Sequence, residues 1–85
     1  MRYIILAFKS QSEAAKILQL INAIGVKVTM VNTPYGAKVG CGISLRIDEF
    51  DYDKVKKALE SIHLSTFAGY FSVAVTQNQS LVTKL

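Results

Sequence analysis

The sequence predicts an α+β domain in which two helices cover one face of a four-stranded antiparallel sheet. Three observations predict it. Residues 3–8 form an unbroken apolar run rich in Ile and aromatics, which reads as a buried strand. Two later stretches carry apolar residues at the three-to-four spacing of a helix face. Two others alternate apolar and polar residues with the period of two that marks a half-buried strand.

Each element follows from local signals. After the first strand, Ser10 and Glu13 stand in capping-box spacing and predict a helix start. Ala14, Ile17, Leu18, Ile21 and Ile24 supply its apolar face, and Gly25 stands where a left-handed C-terminal cap belongs. Val26, Val28 and Met30 alternate with Lys27 and Thr29, predicting a second strand with one wet face. Ile43, Leu45 and Ile47 alternate with Ser44, Arg46 and Asp48 and predict a third. Asp51 is placed to cap a second helix, whose stripe is Tyr52, Val55, Leu59 and Ile62, with Lys54, Lys56, Lys57 and Glu60 outside. The last strand spans Phe67 to Val75 and is apolar on both sides, with Phe67, Phe71, Val73 and Val75 set against Ala68, Tyr70 and Ala74. The order strand, helix, strand, strand, helix, strand is the βαββαβ arrangement of a ferredoxin-like sandwich, with spatial strand order 4-1-3-2. Residues 1–75 are expected to form this single domain and residues 76–85 a C-terminal tail, either frayed or docked.

Composition narrows the class. Eighty-five residues suit one domain, and 51% hydrophobic against 19% charged is too apolar for a disordered chain. The longest apolar run has six residues, far below the roughly 18 of a membrane span. With Lys9 directly behind it, that run also makes a poor signal peptide. A cytoplasmic protein with no membrane association is expected. Cys41 is the only cysteine and His63 the only histidine, so no internal disulfide can form and no Cys/His metal cage is expected. The net charge of +4 comes from Lys and Arg spread along the chain, which does not favour nucleic-acid binding.

The segment Thr33-Pro34-Tyr35-Gly36-Ala37-Lys38-Val39-Gly40-Cys41-Gly42 is the most informative. It is long for a hairpin connection and holds three of the five glycines, the only proline and the only cysteine. The expected topology starts the third strand at the end where the first strand finishes. Cys41 is therefore expected near Lys9, Ser10, Gln11 and Ser12, at the N-terminus of the first helix. Unpaired N–H groups and the positive end of the dipole favour an anion there and lower a cysteine pKa from about 8.5. Gly40 and Gly42 would give clearance around the sulfur, and Lys9, Lys38 and Arg46 would steady a negative charge. The competing reading is a buried cysteine that packs as a small hydrophobe.

The stretch AFKSQSEAAKILQLINAIGVKVTMVNTPYGAKVGCGISLRI resembles the small bacterial selenium/sulfur carrier protein-like family. The resemblance rests on Phe8-Lys9-Ser10, on a helix with Ala14, Leu18 and Gly25, on Thr33-Pro34, and above all on Cys41-Gly42-Ile43-Ser44-Leu45-Arg46. It covers roughly residues 2–72, with Tyr35 standing where a basic residue is expected after the proline. It implies a sulfur or selenium carrier in which Cys41 takes a persulfide or selenopersulfide and hands it to a transfer partner protein. Lys9, Ser10, Lys38, Gly40, Gly42 and Arg46 would then form the binding surroundings, and no cofactor is needed. The alternative is a non-catalytic regulatory module that binds a small molecule or protein, with a structural cysteine.

Other groups have plainer accounts. Asp48, Glu49, Asp51 and Asp53 suit a helix start rather than a metal site. His63 suits a helix C-terminus, with a base for Cys41 as its sharper role. Tyr3, Tyr70, Phe67 and Phe71 suit packing, because the third strand lacks the RNA-binding aromatic signature. The first and last strands leave an apolar stripe on the face without helices. A homodimer through that open face or its edge is expected, or else a tail folded over it through Leu81, Val82 and Leu85.

Overall fold

The computed structural model describes residues 1–34 and 42–85. Strand β1 (Arg2–Phe8), helix α1 (Gln11–Ala23) and strands β2 (Thr29–Asn32) and β3 (Ile43–Asp48) are followed by helix α2 (Tyr52–Leu59) and strands β4 (Phe67–Val75) and β5 (Ser80–Lys84). The strands form one antiparallel sheet in the order β2-β3-β1-β4-β5. The first four strands stand in the order expected from the sequence. Among the described residues the count of four is corrected to five, because the end of the chain pairs along β4 from Val75↔Ser80 to Phe71↔Lys84. A four-residue turn makes this possible: the Thr76 N–H and hydroxyl both donate to the Gln79 carbonyl, at 2.8 and 3.3 Å respectively.

The cap of α1 closes as a Schellman motif. The Gly25 N–H donates to the Asn22 carbonyl at 3.0 Å and the Val26 N–H to the Ile21 carbonyl at 3.2 Å, with Gly25 at φ +85°. Val26 and Ile21 are both buried in the core. This use of Val26 explains why β2 starts at Thr29, later than the alternation suggested. The start of α2 also differs. Asp48 caps the chain by accepting from the Phe50 N–H at 2.9 Å and opens a single 3-10 turn over Glu49–Asp51. Asp51 is the residue before α2 but its side chain makes no capping bond.

The core lies between the helices and the sheet. Ile4, Leu6, Phe8, Leu45 and Ile47 from the strands meet Ala14, Ile17 and Ile21 of α1 and Val55 and Leu59 of α2. Phe8, Phe67, Tyr70 and Tyr52 add an aromatic chain, with centroids 5.2, 4.9 and 5.3 Å apart in turn. Phe67 and Tyr70 are three residues apart and still share this face. The β1–β4 register explains it: Phe8 faces Phe67 but Ala7 faces Gly69, so Ala68 is an extra, bulged residue. Gly69 takes φ +133°, which suits glycine alone. The bulge therefore moves Phe67 to the helix side and Ala68 to the other, reversing the expected assignment of both.

On the face without helices, Ile5, Ala7, Phe71 and Val73 are no more than 5% exposed in the single chain. Val82 of β5 and Tyr3 pack against them. The stripe expected to be bare is thus covered, in part by β5, while Leu81 remains 68% exposed. Ser44, expected to be wet, is fully buried and hydrogen-bonded to Thr33, Oγ to Oγ1, at 2.8 Å. Among the described residues no helix is long and apolar enough to cross a membrane.

Candidate functional site

The end of the sheet where β1 finishes carries the best-organised polar structure. In the register of β1 on β3, Phe8 faces Ile43, so Gly42 sits beside the last residue of β1. A methyl group at Gly42 would lie 2.6 Å from the Phe8 carbonyl oxygen and 3.3 Å from Thr33 Oγ1. That backbone contact is what requires a glycine. Across from it, the Thr33 N–H donates to the Gly42 carbonyl at 3.4 Å, and the Thr33–Ser44 hydroxyl pair closes the ladder below. The two ends of the connection between β2 and β3 are therefore held side by side, with the Gly42 end against β1.

Directly beyond Phe8, the exposed Lys9 leads into α1. Its N–H donates to the Thr66 carbonyl at 2.9 Å. Ser10 is the N-cap and accepts from the Glu13 N–H at 3.3 Å, as its spacing predicted. The other half of the capping box is not formed in this way. The Glu13 carboxylate instead spans to the segment between α2 and β4. Its Oε2 accepts from the N–H and hydroxyl of Ser65 at 3.0 and 3.2 Å. Its Oε1 accepts from the N–H and hydroxyl of Thr66 at 2.8 and 2.6 Å. This clasp ties the start of α1 to the start of β4 and keeps Ser10 and Lys9 in place at the sheet end.

Hydrogen bonds to the ionised form, the Thr66 hydroxyl foremost, hold the Glu13 carboxyl below its ordinary pKa, against the opposing effect of desolvation. The folded value is the lower one, so the stabilisation is fully present above the unfolded carboxyl pKa of about 4.3. It is lost as pH falls through the folded value. Glu13→Gln is expected to flatten that acidic dependence, and acid unfolding followed by circular dichroism on both proteins measures it. An unchanged slope would mean that the clasp does not titrate with folding.

Of the residues singled out in the sequence, Lys9, Ser10 and Gly42 come together at this end. Lys38, Gly40 and Cys41 lie outside the described residues. Arg46 lies elsewhere: it faces Ile5 in the register, three positions from Phe8, and its guanidinium sits 4.0 Å over the Tyr3 ring. His63 is exposed and lies beyond the end of α2.

The sequence did not foresee a second feature. Arg2, Lys27 and Arg46 are far apart along the chain but line one open groove of about 440 Å³, with Tyr3, Thr29 and Asp48. Strand pairing gathers them, since Arg46 faces Thr29 on one side and Ile5 on the other. Only the register could have revealed this convergence. Among the described residues no group of three or more His, Cys, Asp or Glu side chains comes together to hold a metal.

A family model described as "Putative Se/S carrier protein-like" matches residues 3–70, well over half of the chain. The match begins in β1 and ends within β4. No curated protein matches the chain.

Proposed function

The chain belongs to the Se/S carrier protein-like family, and from that premise we propose that it carries sulfur or selenium on Cys41. Family membership carries this reading, and the presence of a single cysteine supports it. The chemistry is a transfer between sulfur atoms. The Cys41 thiolate attacks the terminal sulfur of a donor persulfide. The bond from Cys41 to that sulfur forms, the donor's S–S bond breaks, and the donor leaves as a thiolate. No outside oxidant is consumed. A partner thiolate then removes the terminal sulfur in the same manner, or selenium in the selenopersulfide case.

The geometry around the loop ends suits this use. Thr33 and Gly42 hold the two loop ends together, and Gly42 abuts Phe8 just before Lys9 and Ser10 at the start of α1, where positive charge and helix N–H groups favour an anion. In this reading Lys9, Lys38 and Ser10 steady the thiolate, Gly40 and Gly42 give a partner access, and the thiol works in a bacterial cytoplasm. Strands β1–β4 with the two helices are read as a ferredoxin-like core, and β5 is added at its edge.

The test is direct. The protein is treated with tetrathionate, which oxidises the thiol to a mixed species, and then with sulfide, which displaces thiosulfate and leaves the persulfide. Intact-mass spectrometry should find one added sulfur on Cys41, and the thiol should titrate below about 8.5. A cysteine that titrates at 8.5 or above and never gains sulfur would overturn the proposal in favour of a binding module with a structural cysteine.

Self-association belongs to the same reading, at the edge of β5. The open face has little left to cover, but β5 ends the sheet and leaves Leu81 and Leu85 exposed. Light scattering should give a dimer for the full chain and a monomer for Leu81→Lys. A full chain that is monomeric at all concentrations would reject the homodimer.

A further inference from the structure

We propose that the outer edge of β2, with the basic groove beside it, docks an extended acidic segment of another protein. The proposal stands apart from the carrier chemistry, because it uses neither Cys41 nor the sheet end at Gly42. Among the described residues, strand β2 is at the end of the sheet. The Thr33 N–H bonds to its direct partner Gly42. In an antiparallel ladder such pairs alternate, so Val31 and Thr29 also turn their backbone groups towards β3. Met30 and Asn32 turn theirs outward. An extended peptide can bond to these groups as an added strand.

Charge selects the peptide. Arg2, Lys27 and Arg46 line the groove against one carboxylate, Asp48. The Arg46 guanidinium sits 4.0 Å over the Tyr3 ring, and a guanidinium held there has the donors for a two-pronged contact with a carboxylate. A strand places alternate side chains on one face, roughly 6.6 Å apart, so one acidic segment can meet several of these cations. A second copy of β2 does not fit this chemistry. Its sequence Thr-Met-Val-Asn holds no carboxylate, and it would bring a second Lys27. A lysine guarding a short edge against aggregation would explain Lys27 alone, and not its convergence with Arg2 and Arg46.

The probe is a short synthetic peptide of alternating glutamate and threonine, titrated into the isotope-labelled full chain and followed by NMR. The amides of Met30 and Asn32 should shift and exchange more slowly. Binding should weaken with salt, and by about tenfold or more in Lys27→Glu and in Arg46→Glu. Lys27 is exposed, so its reversal tests charge without disturbing the Tyr3 stack. The lysine-threonine counterpart should leave the spectrum unchanged. No response at Met30 and Asn32, or equal binding by Lys27→Glu, would overturn the proposal. Displacement of the peptide by inorganic phosphate at similar concentration would also overturn it, since the groove would then be a small-oxyanion site.

Discussion

Phe8→Ala is expected to destabilise the protein by about 3–5 kcal/mol, the range for deleting a fully buried aromatic ring. Phe8 is wholly inaccessible, and its ring lies 5.2 Å from that of Phe67. It ends β1 on the helix side, so its removal opens a cavity among Ile43, Phe67 and the first turns of α1. A domain of this size has a total stability of about 5–15 kcal/mol, so the loss takes much of it. The same residue's carbonyl abuts Gly42, and a collapsed Phe8 would shift the base of the β2–β3 connection as well. Phe50→Ala is the matched control. Phe50 is 89% exposed in the turn before α2, and its loss should change stability by less than about 0.5 kcal/mol. Urea unfolding of both variants decides the matter. A cost below about 1 kcal/mol for Phe8→Ala would mean that the helix-side core does not close over this ring.

What could be read from the sequence was what local chemistry decides. Ser10 caps α1 and Gly25 ends it because both act within one turn of the chain. The stripe of Ala14, Ile17 and Ile21 is buried because helical period alone places it on one face. Distant partners decided the rest. Glu13 has capping-box spacing, but two N–H groups and two hydroxyls of Ser65 and Thr66 offer its carboxylate more than one N–H at Ser10. Simple alternation misplaced Phe67 and Ala68, because the bulge shows only in the pairing with β1. Gly69, inside a largely apolar strand, was its one signal in the sequence. The polar tail gave little sign of β5, since an edge strand needs few buried side chains and, of its residues, only Val82 packs against the cluster on the face without helices. The site divided along the same line. Lys9, Ser10 and Gly42 meet because strand order brings the end of β1 to the start of β3, which could be deduced. Arg46 points to Tyr3 and joins Lys27 and Arg2, which required the register.

Cys41→Ser is expected to abolish sulfur loading completely and to leave stability within about 1 kcal/mol of the parent. The two outcomes belong together. Serine keeps the size and shape of the side chain but offers no thiolate, and a hydroxyl cannot form a persulfide. If the sulfur has only a transfer role, nothing in the fold needs it. The loop ends are fixed by contacts between Gly42 and Phe8, Thr33 and Gly42, and Thr33 and Ser44. If Cys41 instead packs as a small hydrophobe, serine would bury an extra hydroxyl, which costs about 1–3 kcal/mol when unsatisfied. Urea unfolding and intact-mass analysis on the same preparation separate these cases. A variant that folds as well as the parent and never takes up sulfur identifies a transfer cysteine. A variant that loses several kcal/mol identifies a structural one. Retention of sulfur loading by the serine variant would place the acceptor outside the only thiol of the chain and end the carrier proposal outright.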